Sequence, residues 1–278
     1  MKHDCFCPQK FIPMKTKWIK LTALIFIIAA CTKVPISKRQ QINLLPESEM
    51  ISMSLTSYHD FLQKNPAVAS GTDANMVKTV GSKIQNAVTQ YMNQNGFASR
   101  IQGYKWEFNL VNSAEVNAWC MPGGKVVVYS GLLPLTQDEG SLAIVMGHEI
   151  AHAVARHGNE RMSQMMIAAG LGMGLDIALS QKSEQTRTIF MTAYGVGAGL
   201  GSLAYSRTHE SEADKLGLVF AAMAGYDPNK AISFWERMAA KGGAKPPEIL
   251  STHPSDATRI ADIKAYMPQA MKYYHPKG

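Results

Sequence analysis

The chain has 278 residues, of which 46% are hydrophobic and 18% are charged. This composition excludes an intrinsically disordered chain and suffices for one domain with a substantial core. Residues 1–31 hold five lysines and one aspartate, so they account for more than half of the formal net charge of +7. The rest of the chain is only weakly basic, and we expect no nucleic-acid partner.

The N-terminal 31 residues have the pattern of a secretory signal peptide. Lysines at positions 15, 17 and 20 precede an apolar run of about ten residues, which is too short to span a bilayer. Ile28-Ala29-Ala30-Cys31 resembles the bacterial lipobox, whose cysteine is lipidated and becomes the first mature residue. We therefore expect a lipid on Cys31; the alternatives are simple cleavage and a retained anchor.

Residues on either side of this segment refine the expectation. Met14 would give a signal of ordinary length, so residues 1–13 are interpreted as an over-extended start. Thr32 follows the cysteine, whereas an aspartate there would resemble an inner-membrane retention signal. The predicted location is the bacterial cell envelope, lipid-anchored, with the periplasmic face of the outer membrane favoured. Residues 32–45 are interpreted as a tether and residues 46–278 as a single domain.

Three short runs in the first half of this domain predict strands. The runs are Lys105–Val111, Glu115–Met121 and Lys125–Ser130. Pro122-Gly123-Gly124 forms a turn between the last two. An exposed sheet edge can bind an extended peptide as an added strand. The substrate edge strand would then contain Asn117, Ala118 and Trp119; the alternative is a small structural hairpin.

The most specific motif is His148-Glu149-Ile150-Ala151-His152. Apolar residues flank it without a proline, which predicts one continuous helix. Histidines four residues apart lie on one helical face, so both imidazoles can reach one Zn²⁺. Glu149 lies where a zinc hydrolase needs the general base for the metal-bound water. The alternative, a chance pattern on an amphipathic helix, would bury three ionisable groups that each need a partner.

Two segments rich in Ala, Gly and Met follow, Met165–Leu179 and Ile189–Ala204. Each falls short of the ~20 apolar residues that a spanning helix needs. We interpret them as buried or half-buried helices near the active site. The alternative is a membrane-touching segment or a mobile lid.

Residues 206–214 contain the candidates for a third ligand. A catalytic zinc has three protein ligands and one open position. Glu210 and Asp214 share a helical face, so one can bind the metal while the other orients a ligand histidine. Spacing alone does not rank them. Glu212 points away from that face and is expected in solvent, and His209 faces about 100° away and is not expected to be a ligand.

The two motifs together carry a family resemblance. His-Glu-Ile-Ala-His-Ala-Val-Ala-Arg-His, at 148–157, and Ser-Arg-x-x-Glu-x-Glu-Ala-Asp, at 206–214, resemble the HtpX, Oma-type and CaaX prenyl protease family of zinc metallopeptidases. The similarity covers residues 70–265 and is to the small secreted lipoprotein branch. In this family the first glutamate of the second motif binds zinc. The resemblance therefore implies one Zn²⁺ per chain, held by His148, His152 and Glu210, with Asp214 as an outer partner.

The C-terminal part adds two candidates. His253 lies in a loop next to Pro254, and the resemblance places that loop near the zinc. There, His253 would either hydrogen-bond the tetrahedral oxyanion or act as a gate on the open metal position; the alternative is a surface or N-cap histidine. Arg259 would pair with an active-site carboxylate or stabilise the loop.

The predicted fold is α+β, mainly helical, with a thermolysin-like zincin metal helix and a small antiparallel sheet. The predicted function is a zinc-dependent metalloendopeptidase that cleaves misfolded or misassembled envelope proteins with a Glu-activated, zinc-bound water. An envelope assembly or chaperone-like binding factor with a closed zinc site is the alternative, and hydrolysis of a cell-wall amide is a third interpretation. Expected partners are protein or peptide substrates and, through the lipid, a membrane; no oligomeric state is predicted.

Overall fold

The computed structural model describes residues 31–168, 184–194, 205–241, 249, 253 and 257–276. The predicted signal peptide before Cys31, and most of the two Ala- and Gly-rich segments, lie outside these residues, as does the side chain of Cys31. Over the described ranges, none of the helices combines the length and apolar character needed to cross a membrane.

Helices dominate the described residues, which confirms the α+β, mainly helical fold class. The helices are α1 (Glu47–Lys64), α2 (Thr72–Gln94), α3 (Leu133–Thr136), α4 (Glu139–Val154), α5 (His157–Ala168), α6 (Glu184–Ala193), α7 (Arg207–Met223), α8 (Lys230–Ala240) and α9 (Ala257–Ala270). The strands are β1 (Cys31–Lys33), β2 (Gln40–Ile42), β3 (Glu107–Val111), β4 (Ala118–Met121) and β5 (Lys125–Tyr129).

A three-stranded sheet with the order β3-β5-β4 packs beside α4. Strands β4 and β5 pair antiparallel around the predicted turn, with Ala118 opposite Val128. Strand β3 instead runs parallel to β5, with Phe108 opposite Val126, so this sheet is mixed rather than wholly antiparallel. The difference arises because the second strand of the hairpin inserts between β3 and β4, and turn residues in the sequence do not reveal such an insertion.

Helix α4 is the centre of the molecule. Every residue from Ser141 to Val154 is buried, including both histidines and the glutamate of the metal motif. The helix begins at Asp138, whose carboxylate accepts a hydrogen bond from the Ser141 backbone N–H at 2.7 Å. This contact satisfies one of the unpaired N–H groups of the first turn, and the negative charge interacts favourably with the helix dipole.

Helices α4 and α7 cross at a pair of glycines. A Cβ on Gly147 would lie 2.9 Å from the Gly217 carbonyl oxygen, and a Cβ on Gly217 would lie 2.8 Å from the His148 nitrogen. Only glycine allows the two backbones to approach this closely. The crossing places the first turn of α7, which carries Glu210, beside the metal motif of α4.

Strands β1 and β2 form a hairpin at the start of the described chain. Residues 32–45, interpreted above as a tether, are folded against the domain here. Val34 and Gln41 are buried, and Arg100 links the hairpin to α4 by donating to the carbonyl oxygens of Lys33 and Val154. These partners are 54 or more residues apart in sequence, which is why composition alone indicated a tether.

Candidate metal centre

The two histidines of α4 direct one ring nitrogen each toward the same point. The Nε2 atoms of His148 and His152 are 3.1 Å apart, as expected for two residues one helical turn apart on one face. Both residues are buried. Two ring nitrogens directed at one point are the arrangement that a shared metal ion requires.

Glu210 reaches this point from α7. Its helix begins at Ser206, whose hydroxyl accepts from the His209 N–H at 3.2 Å. The carboxylate oxygens of Glu210 lie 3.4 Å from the Nε2 of His148 and 3.4 Å from the Nε2 of His152. The structure thus brings together the three residues predicted as ligands.

His253 completes the cluster. Its Nδ1 is 2.9 Å from Glu210 Oε1 and 3.1 Å from the Nε2 of His148. One ligand atom from each of these four buried residues lies within 4.8 Å of the others. Of the two predicted roles for His253, this position favours the gate, because its nitrogen lies among the ligand atoms.

The spacing of these atoms fits a tetrahedral metal ion. Zinc bonds of about 2.0–2.1 Å place tetrahedral ligand atoms roughly 3.3–3.4 Å apart. Five of the six pairs among these residues have atoms 2.9 to 3.4 Å apart, and all four ligand atoms lie within 4.8 Å of one another. A second indication is Glu149, whose buried Oε1 makes no hydrogen bond within the described residues. That oxygen is 3.5 Å from His253 Nε2, so it borders the cluster.

Burial and neighbouring charges set the protonation of the site. Burial raises the pKa of Glu149, which makes its carboxylate a better proton acceptor near neutral pH. Burial also holds the pKa of His152 well below its usual value, so its ring is neutral as a ligand requires. Burial opposes charge at His148 too, but hydrogen bonds to Asp214 and Glu210 outweigh it and raise the pKa of His148 to about 9.

Asp214 and Arg259 support His148. Asp214 Oδ1 is 2.9 Å from His148 Nδ1, so the ring donates there and presents Nε2 to the cluster. Arg259 donates to both oxygens of Asp214, at 2.9 and 2.7 Å, and its Nη1 lies 3.2 Å from Glu210 Oε2. These are the outer positions predicted for both residues.

Glu212 was predicted to lie in solvent, and this prediction was wrong. The side chain is buried and accepts from Ser37, Arg39 and His157. Helical geometry correctly turned it away from the metal but could not reveal that the N-terminal hairpin covers that face. His209 contacts Glu160 Oε2 at 3.1 Å, outside the metal cluster.

Sequence reasoning also missed His157 and Glu160. His157 lies five residues after His152, a spacing that does not share a face on one helix. The helical path is interrupted between α4 and α5, where Arg156 has a φ of 62°. This break turns the ring of His157 back to within 3.0 Å of His152, nitrogen to nitrogen.

Strand β4 is the edge of the sheet on the metal side. Asn117, Ala118 and Trp119 are all buried, and the last two line a cavity of about 30 Å³ with Glu149 and His152. The end of α6 lines the other side of this cavity. The three predicted edge residues are thus buried rather than exposed, and Ala118 and Trp119 lie beside Glu149 and the end of α6.

This fold and site define a candidate metal centre of the HExxH class, in which a carboxylate from a second helix lies beside the two histidines. A family model described as Peptidase family M48 matches residues 81–267. The chain belongs to this family, which confirms the resemblance carried by the two motifs.

Curated relatives include mitochondrial and bacterial proteases. The chain is 35% identical over 184 residues to mitochondrial metalloendopeptidase OMA1 of Saccharomyces cerevisiae, covering 63% of this chain and 51% of that one. It is 34% identical over 186 residues to the beta-barrel assembly-enhancing protease of Escherichia coli, covering 64% and 38%. It is 28% identical over 275 residues to human OMA1, covering 93% and 51%. The chain thus spans about half or less of the length of these relatives.

Proposed function

We propose that this chain is a zinc metalloendopeptidase of the bacterial cell envelope that cleaves misfolded or misassembled envelope proteins. The observation that carries the proposal is the convergence of His148, His152 and Glu210 beside the buried carboxylate of Glu149. Imidazole nitrogens and one carboxylate in tetrahedral array are typical of zinc among the common protein metals.

The chain's own residues support a hydrolytic mechanism. When bound, Zn²⁺ would supply a Lewis acid for the peptide carbonyl and acidify the attacking water to a pKa of about 7. Glu149 takes the proton of that water, and its raised pKa lets it hold the proton and deliver it to the leaving amine nitrogen. Asp214 meanwhile keeps the ring of His148 in the orientation that presents Nε2.

His253 regulates access in this proposal. Its Nδ1 lies among the ligand atoms, where it would occupy the position that a bound metal ion otherwise offers to water or substrate. His253 is thus the gate of a resting state. Withdrawal would leave its imidazole close enough to donate a hydrogen bond to the developing oxyanion.

The edge strand and the N-terminal segment support the proposed substrate class and location. The backbone of Ala118 and Trp119 would pair with an extended peptide, which places the scissile bond beside Glu149. The relatives are named as metalloendopeptidases and as a beta-barrel assembly-enhancing protease, which supports protein substrates for this chain. A lipid on Cys31 would hold the domain at the envelope membrane.

A binding factor for envelope assembly is the second candidate. The observation favouring it is the fourth potential ligand, His253, which would close the coordination sphere. The two candidates differ in whether Glu149 is needed, because binding requires the fold and the metal but not the base.

The Glu149→Gln variant tests this choice. We expect it to keep one bound zinc and to lose cleavage of an unfolded protein such as casein by a factor of about 10²–10⁴, the usual contribution of a general base. Glu115→Gln, at an exposed position, is the control and should cleave normally. Undiminished cleavage by Glu149→Gln would contradict the mechanism. Full complementation of a deletion strain by that variant would favour the binding factor.

A further inference from the structure

Arg39, on the N-terminal hairpin, joins two buried carboxylates behind the metal centre. It donates through Nε and Nη2 to both oxygens of Glu212, each at 2.9 Å. Its Nη1 and Nη2 also donate to the two oxygens of Glu160, at 2.6 and 2.8 Å. Two paired, charge-assisted contacts from one guanidinium hold both glutamates in fixed orientations.

A continuous hydrogen-bond path runs from Arg39 to a metal ligand. Glu212 Oε2 lies 3.1 Å from His157 Nε2, and His157 Nδ1 lies 3.0 Å from His152 Nδ1. All three of these side chains are buried. The path therefore ends on the ring nitrogen of His152 that faces away from the metal cluster.

For neutral imidazole rings, only one arrangement of protons satisfies every contact along this path. The Glu212 carboxylate can only accept, so His157 carries its proton on Nε2 and leaves Nδ1 as an acceptor. His152 must then donate from Nδ1, and its Nε2 is left with a free lone pair. That is the tautomer in which His152 can bind a metal through the nitrogen directed at the cluster.

We propose that Glu212 and Arg39 are positioning residues of the metal centre, acting through His157 to fix the tautomer and orientation of His152. The inference rests on the metal site of the proposed function. It assigns to the hairpin that follows Cys31 a part in building that site. His148 contacts the carboxylate of Asp214 directly, whereas His152 contacts the carboxylate of Glu212 only through His157.

Metal affinity measured against a chelator tests this proposal. Outer partners of metal ligands typically contribute 10–100-fold to affinity. We expect Glu212→Ala to weaken zinc binding by that factor and Arg39→Ala to weaken it several-fold. The matched control is Gln41→Ala, which removes buried hydrogen bonds of the same hairpin to Glu160 and Arg100 but none on the path to His152.

Two further readouts separate positioning from general stabilisation. Thermal melting of the metal-free proteins should fall for Arg39→Ala and Gln41→Ala alike, whereas affinity should fall only for the former. Nitrogen NMR of the zinc-loaded wild type should show the proton on Nδ1 of His152 and on Nε2 of His157. Arg39→Lys, which keeps the charge but not the paired geometry, should recover part of the affinity.

The outcomes distinguish this inference from the proposed function. A wild-type protein without one tightly bound zinc would contradict the proposed function itself. Stoichiometric zinc in the wild type, with affinities of Glu212→Ala and Arg39→Ala within twofold of it, would overturn the positioning role alone. Equal weakening by Gln41→Ala would do the same. Should Glu212→Ala not fold, Arg39→Ala decides, because its side chain is 29% exposed and its loss leaves no large cavity.

Discussion

The two histidines of α4 are supported in different ways. His148 donates directly to Asp214, and Arg259 on α9 donates to both oxygens of that carboxylate. His152 reaches its carboxylate, Glu212, only through a second imidazole, and the cation behind that carboxylate is Arg39 on the N-terminal hairpin. Each support uses one carboxylate of α7. Asp214 and Glu212 are two residues apart and therefore lie on different faces of that helix.

The difference shows how one helix can serve two ligands. The direct support, formed by Asp214 and Arg259 behind His148, lies wholly within residues 81–267, the part matched by the family model. The indirect support consists of His157, Glu212 and Arg39 behind His152. It ends on Arg39, which lies before the matched part. The metal centre of this chain thus depends on a segment outside the matched region, and the two supports should respond differently to substitution.

The largest effect is expected at the direct support. Asp214→Ala would remove the partner of His148 and leave the buried Arg259 with only part of its compensation. We expect a loss of 10–100-fold in zinc affinity and about 3–5 kcal/mol in stability of the metal-free protein. Chelator competition and urea denaturation measure the two quantities. Lys264→Ala, whose ion pair with Glu236 is exposed, serves as the control and should change neither.

A smaller loss of zinc affinity in Asp214→Ala than in Arg39→Ala would contradict this order of effects. It would mean that the support of His152 dominates the site and that the direct contact to His148 contributes little.

A substitution at the helix crossing should affect both supports together. Gly217→Ala would place a Cβ 2.8 Å from the His148 nitrogen and push α7 away from α4. We expect a destabilisation of about 1–3 kcal/mol, since backbone cannot yield as a flexible side chain does. Gly140→Ala is the control, because the atoms nearest to its Cβ would belong to the side chains of Lys230 and Asp138 rather than to backbone. Comparable stability of both variants would contradict the close crossing.

The smallest effect is the contribution of the indirect support to the pH dependence of stability. Burial opposes charge on Glu212, but hydrogen bonds from His157, Arg39 and Ser37 outweigh it and lower its pKa from the ordinary 4.5 to about 2. A depressed carboxylate pKa stabilises the fold above the ordinary value, and this stabilisation is lost as pH falls from 4.5 toward 2.

Denaturation of the metal-free protein at pH 5 and pH 3 measures this effect. The wild type should lose more stability over this interval than Arg39→Ala, in which the pKa of Glu212 is closer to its ordinary value. An equal loss in the two proteins would show that the Arg39 contacts do not set the acid response.

The sequence predicted those parts of the site whose positions depend only on the regular geometry of a single helix. The i,i+4 spacing within α4 and within α7 placed His148, His152, Glu210 and Asp214, since each helix is regular over its motif. The resemblance then ranked Glu210 over Asp214 as the ligand.

What sequence could not predict depends on contacts between distant segments. The burial of Glu212 requires the hairpin of residues 31–42, which is more than 160 residues away in the chain. His157 reaches His152 only because the helix breaks at Arg156. The parallel pairing of β3 with β5 likewise results from an insertion that strand periodicity does not encode.

A crystal structure of the zinc-loaded protein, with anomalous diffraction at the zinc edge, tests the central claim most directly. One peak per chain is expected, within about 2.0–2.1 Å of the Nε2 atoms of His148 and His152 and of a Glu210 oxygen. The Nδ1 atoms of the two histidines should still contact Asp214 and His157. A zinc ion bound elsewhere, or none at these three residues, would contradict the account.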